Sequence, residues 1–174
     1  NELAAIPDEV LLILKNSVLC SDANVTYEAD KYSISGDPTE VALIVAAVKA
    51  GIPTDELRET ITRKDVIPFD SEKQYMATLN DTIILKGAPE VVLKSCSEHI
   101  GNINLDKDRI LKQIELLGSK GMRVLAIAQK APAVSQTSLS VNDMESGFSF
   151  LGLIGMIDPP REEAIAAIKA CHNA

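Results

Sequence analysis

KDVIPFDSEKQYMATLNDTIILKGAPE, residues 64–90, contains three short runs at 64–70, 74–80 and 82–85 that are rich in Val, Ile, Tyr and Thr and separated by polar residues. Runs of that length and composition bounded by turn formers read as strands. Asn80 and Asp81 supply a tight turn between the second and third. The three strands are expected to form the centre of a sheet. Pro89 then ends the extended backbone and opens a helix at its first position, where a missing N–H costs nothing.

On the C-terminal side, 89–96 and 107–120 read as amphipathic helices, the second placing Ile110, Ile114 and Leu117 on one face before Gly121 stops it. Two further strands are expected at 122–129 and 148–157, with a Ser-rich polar loop at 135–146 between them. On the N-terminal side, helical spacing of Val10, Leu11, Ile13, Leu14, Val18 and Leu19 predicts a helix over 8–20, with Asp8 as its cap. A small hairpin is expected at 25–35. Asp37, Pro38 and Glu40 then stand at N-cap, first helical position and N3, where Glu40 can reach back to the cap, and Gly51 closes that helix. A short helix follows at 54–60. Together these elements predict an α/β (α+β) domain with a mainly antiparallel sheet flanked by helix pairs.

Asp158-Pro159-Pro160-Arg161 interrupts the pattern, because two adjacent prolines remove two donors and fix both φ angles. A domain boundary is expected there, giving one domain over 1–157 and the start of a neighbour over 158–174. The opening Asn1-Glu2-Leu3 has neither an initiator Met nor the basic and apolar regions of a signal peptide, and reads as an edge within a longer chain.

Composition narrows the function. Apolar residues make up 46% of the 174 and charged residues 24%, the balance of a globular domain. A net charge of −8 spread along the chain opposes nucleic acid or anionic lipid as a partner, since both are bound by clustered Lys and Arg. No apolar run approaches the roughly 20 residues of a membrane-spanning helix. Three cysteines at wide spacing argue against a disulfide framework and for a reducing compartment, read as the cytoplasm. Cys96 with His99, and Cys171 with His172, do not repeat at the separations of structural zinc sites, so no metal site is expected. No base stands in a motif that would activate a nucleophile.

Four segments could carry ligand chemistry, and each has a structural reading beside the functional one. Gly36 to Glu40 is by itself a capped helix start. Phe69, one of three Phe in the chain, reads in isolation as core. Lys86-Gly87-Ala88-Pro89-Glu90 is either a strand-turn-helix corner or a place where a ligand approaches the glycine beside a positive charge. Arg123 enters an otherwise apolar strand and reads as a solvated face. Neither a P-loop nor a Gly-x-Gly-x-x-Gly pattern occurs.

Taken in order, five blocks resemble the signatures of the nucleotide-binding domain of P-type cation ATPases: Gly36-Asp37-Pro38-Thr39-Glu40-Val41-Ala42-Leu43, Pro68-Phe69-Asp70-Ser71-Glu72, Lys86-Gly87-Ala88-Pro89-Glu90, Gly121-Met122-Arg123-Val124-Leu125-Ala126 and Gly155-Met156-Ile157-Asp158-Pro159-Pro160-Arg161. The Gly36 and Pro68 blocks are most similar to the calcium-pump branch. The resemblance implies a pocket for the adenosine end of ATP. In it Phe69 would stack on adenine, Glu40 would accept from the exocyclic amine, and Lys86 would lie deep against base or sugar. Gly87 would leave room for the ring, Met76 and Leu125 would pack around it, and Arg123 would reach the phosphates. Many family members place a Lys five positions after the Phe, where this chain has Gln74, so Lys73 is expected to carry a shifted or weakened contact.

The family's phosphorylated Asp-Lys-Thr-Gly-Thr block is absent from the chain, which is therefore expected to bind ATP without turning it over. The resemblance further implies Mg²⁺ held mainly by a phosphorylation domain, and as partners the phosphorylation, actuator and membrane domains of a parent pump. The isolated domain is expected to be a monomer. The competing reading is an interaction module of the same fold that has lost its ligand. A haloacid-dehalogenase-like phosphatase would need its own aspartate nucleophile in a strand-loop context, and none is found.

Overall fold

The computed structural model describes residues 6–28, 31–101, 103–158 and 162–172. The chain runs through α1 (Asp8–Leu19), the antiparallel pair β1 (Asn24–Glu28) and β2 (Lys31–Ser35), α2 (Pro38–Lys49), α3 (Thr54–Thr60), and the strands β3 (Asp65–Asp70), β4 (Tyr75–Leu79) and β5 (Ile83–Gly87). It continues through α4 (Pro89–Ser95), β6 (Cys96–His99), β7 (Ile103–Asn104), α5 (Lys107–Ser119), β8 (Arg123–Lys130), a 3₁₀ turn (Val141–Met144), β9 (Phe148–Met156) and α6 (Glu162–His172). Among the described residues, seven strands form one sheet in the order β3-β4-β5-β8-β9-β6-β7. Every neighbouring pair is antiparallel except β6 with β9.

This is the α/β architecture expected, with three corrections. The run β3-β4-β5 is one flank of the sheet, with β3 at the edge, and β8 takes the middle. Cys96 begins β6 instead of ending the preceding helix. Strands of four and two residues are too short to carry a period of two, so β6 and β7 leave no pattern in the sequence. At the first helix, Pro7 occupies the cap position and Asp8 is helical, where its charge complements the helix dipole. The hinge expected at Asp158-Pro159-Pro160-Arg161 has its last three residues outside the described ones.

Successive side chains of a strand point to opposite faces, so β4 and β5, buried throughout, feed two cores at once. Tyr75, Ala77, Leu79, Ile83 and Leu85 join Ala126, Ala128, Phe148 and Phe150 under α4 and α5, with Val92 and Leu93 on top and Ile110 and Ile114 packed against them. Met76, Ile84 and Ile127 face the other way, against Leu12, Ile13, Leu19 and Cys20 of the α1 region. A third cluster of Val18, Ala23, Val25, Ile44 and Ala47 ties α1 to α2 and β1. Lys86 follows the same alternation. It lies opposite Met76 on one side and Ile127 on the other, which aims it at the α1 face instead of at solvent.

Candidate functional site

The β3–β4 junction sets one wall of the site. Pro68 has no N–H to give to the ladder, and the register between β3 and β4 shifts between Ile67 and Asp70. A bulge of this kind bends the strand and re-aims a side chain. Phe69, inside it, is 64% exposed, so the reading of this residue as core is overturned. The following turn is built by Asp70, whose Oδ1 accepts from the amides of Glu72 at 2.8 Å and Lys73 at 3.3 Å. Those backbone hydrogen bonds hold the Asp70 carboxyl below its ordinary range. Gln74 completes the turn with φ of 60°, its carbonyl accepting from Ala88 N at 2.9 Å.

The opposite wall is the start of α2. Asp37 caps it, its Oδ1 accepting from Thr39 N at 2.8 Å, with Pro38 in the first turn. Burial pushes the Asp37 carboxyl up, but hydrogen bonds from Thr39 and Glu40 and the nearby Arg123 outweigh it and leave the group below its ordinary range. Glu40 does not reach back to the cap as expected. Its Oε1 accepts from Lys86 Nζ at 2.6 Å, and its Oε2 accepts from the amides of Asp22 at 2.8 Å and Ala23 at 3.1 Å. Lys86 Nζ also donates to Ser21 Oγ at 2.8 Å, and Ser21 Oγ donates to Ser17 O at 2.7 Å. The Lys86 and Glu40 side chains are only 6% and 15% exposed, so this is a largely buried, hydrogen-bonded ion pair on the floor of the site. Arg123, at the start of β8, donates to Thr39 Oγ1 at 2.7 Å.

These elements enclose a cavity of about 640 Å³. Of the residues singled out from sequence, Glu40, Phe69, Met76, Lys86, Gly87, Arg123 and Leu125 line it, and Lys73 does not. Lys73 lies 3.5 Å from Asp70 in an exposed ion pair, because the bulge and the turn direct the two charges to each other. Gln74 lines the cavity in its place. Gly87 also has a requirement of its own within the fold: a Cβ there would lie 2.4 Å from Gln74 O and 2.8 Å from Tyr75 Cα. It admits the β3–β4 turn. Ser21 and Asp22, which complete the floor, sit in a loop with no motif, and only their place beside α2 and β5 reveals them. A second cavity of about 330 Å³ lies on the far side of Asp22, lined by Arg58, Arg63 and Asn80 among others.

Among the described residues, no group of three or more His, Cys, Asp or Glu converges to hold a metal, and no helix is long and apolar enough to cross a membrane. A cavity of this size, part apolar and part polar, with a largely buried charge pair on its floor and Arg123 and Phe69 among its lining, suits a small organic ligand.

The chain is 40% identical over 180 residues to the cation-transporting ATPase pma1 of Synechocystis sp., covering 99% of this chain and 20% of that protein. It is 38% identical over 184 residues to the probable cation-transporting ATPase F of Mycobacterium tuberculosis, covering 98% and 20%, and 37% identical over 174 residues to calcium-transporting ATPase 1 of Lactococcus lactis, covering 94% and 19%. It thus spans about a fifth of the length of these curated relatives. Residues 9–163, from the first turn of α1 to the first turn of α6, match the family model described as P-type ATPase, cytoplasmic domain N, and the chain belongs to that family.

Proposed function

We propose that this chain is the ATP-binding domain of a P-type cation-transporting ATPase, and that its cavity of about 640 Å³ holds the adenosine end of ATP so that the γ-phosphate can be passed to an aspartate in another domain. The observation that carries the reading is convergence: residues from α2, the β3–β4 junction, β5 and β8, far apart in sequence, line one cavity. Phe69 presents an exposed ring for adenine, a stacking contact worth about 1 to 3 kcal/mol. The backbone amides of Asp22 and Ala23 occupy Glu40 Oε2, which leaves Oε1, shared with Lys86, to accept from the exocyclic amine. Guanine carries an acceptor oxygen at that place and would meet a carboxylate it cannot pair with. Met76 and Leu125 would supply apolar contact, and Arg123, which lines the same cavity, would reach the phosphates. Lys73 is left outside this scheme by its pairing with Asp70.

In the parent pump, residues 158–174 form the hinge and the beginning of the phosphorylation domain, and the domain over 1–157 works from the cytoplasmic side of a membrane-embedded protein. The phosphorylation, actuator and membrane domains are its partners, and Mg²⁺ accompanies the triphosphate, held mainly by the phosphorylation domain. Affinity of the isolated chain for ATP should be weak, since the partner surfaces that grip the triphosphate belong to other domains. The test is titration of the ¹⁵N-labelled chain with ATP and with GTP, alongside Phe69→Ala. Shifts confined to the cavity, weaker with GTP and lost in a folded Phe69→Ala, support the reading. No shift at millimolar ATP leaves instead an interaction module that has lost its ligand.

A further inference from the structure

The carboxylate of Glu40 is oriented by two amides, those of Asp22 and Ala23, in a loop that belongs to no helix or strand. What holds that loop lies in the second cavity. Arg58 of α3 donates through Nη2 to the carbonyls of Val18 at 3.1 Å, Ser21 at 3.0 Å and Ala23 at 2.9 Å. Arg63 donates through Nη2 to the carbonyls of Leu19 at 3.0 Å and Ser21 at 2.8 Å, and through Nη1 to Asp22 Oδ1 at 2.5 Å. The last carbonyls of a helix have no partner within it and carry partial negative charge, so two guanidinium groups are suited to close the end of α1. Here they also grip the turn beyond it. With the carbonyl of Ser21 held on one side, the amide of Asp22 in the same trans peptide is left facing α2 and Glu40, and the Asp22 carboxylate and the Ala23 carbonyl, gripped on either side of the Ala23 amide, fix the turn that presents it.

We propose that Arg58 and Arg63 are positioning residues of the nucleotide site, acting through the 21–23 turn on the carboxylate of Glu40. The inference rests on the reading of the cavity as an adenosine site, and it assigns that site a second layer that touches no nucleotide. Neither arginine lines the larger cavity, while Asp22 lines both. Arg63 stands six residues before Phe69 on the segment that becomes β3, so the chain that supplies the aromatic wall also braces the floor opposite it. Without the guanidinium groups the turn could rotate its amides away. Glu40 would then keep Lys86 alone, and the direction of its free lone pair, which distinguishes adenine from guanine, would no longer be set.

The experiment uses the 174-residue chain with Arg63→Ala, Arg63→Lys and Glu40→Gln, read by amide shifts without ligand and by ATP and GTP titration. In Arg63→Ala the Asp22 and Ala23 amides should move in the direction Glu40→Gln moves them. The Kd for ATP should rise about fivefold, the equivalent of one hydrogen bond of about 1 kcal/mol, and the ATP to GTP ratio should narrow. Arg63→Lys should restore part of the ratio. A folded Arg63→Ala with the two amides and the ratio unchanged overturns the proposal. If Arg63→Ala does not fold, Arg58→Gln, which removes the other guanidinium and its three carbonyl contacts without touching the larger cavity, decides: displaced Asp22 and Ala23 amides with a narrowed ratio support the proposal, and both unchanged overturn it. An unmodified chain that shows no shift with ATP overturns the site reading and this proposal with it, whereas ATP binding indifferent to the arginine overturns the proposal alone.

Discussion

Replacing Lys86 by Met removes one charge from the floor of the cavity and keeps nearly all of the side chain's length. Lys86 Nζ touches Glu40 Oε1 at 2.6 Å and Ser21 Oγ at 2.8 Å, in a pair whose side chains are 6% and 15% exposed. Breaking a buried pair from one side is costly because the partner's charge stays buried without compensation, typically about 3 to 5 kcal/mol. Glu40 keeps two amide donors and Ser21 keeps its bond to Ser17 O, which places the expected loss at the lower end, about 3 kcal/mol. In a domain of this size each kcal/mol moves the melting temperature by about 2 to 4 °C, so Lys86→Met should melt about 6 to 12 °C lower. Glu40→Gln combined with Lys86→Met removes both charges and should be less destabilised than the two single changes summed, by about 1 kcal/mol or more, as expected for coupled residues. Thermal and urea unfolding at neutral pH, followed by circular dichroism, measure all three variants. A Lys86→Met protein that melts within about 1 °C of the unmodified chain, with additive behaviour in the double variant, would refute the idea that this pair organises the floor.

Other substitutions and conditions separate the roles of neighbouring groups. Gly36 has φ of +110°, and a Cβ there would lie 2.6 Å from Ala23 Cα, so Gly36→Ala should cost at least the roughly 1 to 3 kcal/mol of an overpacked contact, read as a lower urea midpoint. Gly118 in α5 has open space where a Cβ would go, and Gly118→Ala should raise the same midpoint, by roughly 0.5 to 1 kcal/mol of helix stability. Asp65 accepts from Leu139 N at 2.7 Å and Val66 N at 2.8 Å, which holds its carboxyl below the ordinary range. Its stabilising effect is therefore fully present above an ordinary carboxylate pKa of about 4 and is lost as pH falls from there through the lowered value; Asp65→Asn should flatten that acid limb of the urea-midpoint profile. Cys20 and Cys96 are buried, and burial raises the Cys20 thiol and pushes Cys96 up to about 12, whereas Cys171 is exposed. A thiol reagent at pH 8 should label Cys171 quickly in the native chain and the other two only after denaturation.

Most helices and strands were legible because their signals are local. The Asp37-Pro38 start of α2, the Gly51 stop, the runs that became β3, β4 and β5, and the apolar face of α5 all lie within a few residues of the structure they specify. The five blocks that resemble P-type ATPase N domains identified the family, and seven of the eight residues chosen from that resemblance line one cavity. Those choices came from motifs and not from any local rule: taken alone, Phe69 reads as core and Glu40 as a cap. Tertiary structure decided both. Pro68 cannot bond into the ladder, so a bulge turns Phe69 outward, and Glu40 abandons its own helix for Lys86, 46 positions away, and for amides 17 and 18 positions back. The same holds for Lys86 with Ser21, 65 positions apart, and for β6, whose parallel pairing with β9 no short strand could announce. Propensity and capping act over one turn of helix or one hairpin, and they determined the elements. The partners of a buried charge are chosen by whichever donors the packed sheet and helices bring within about 3 Å, and that choice exists only once the chain has folded.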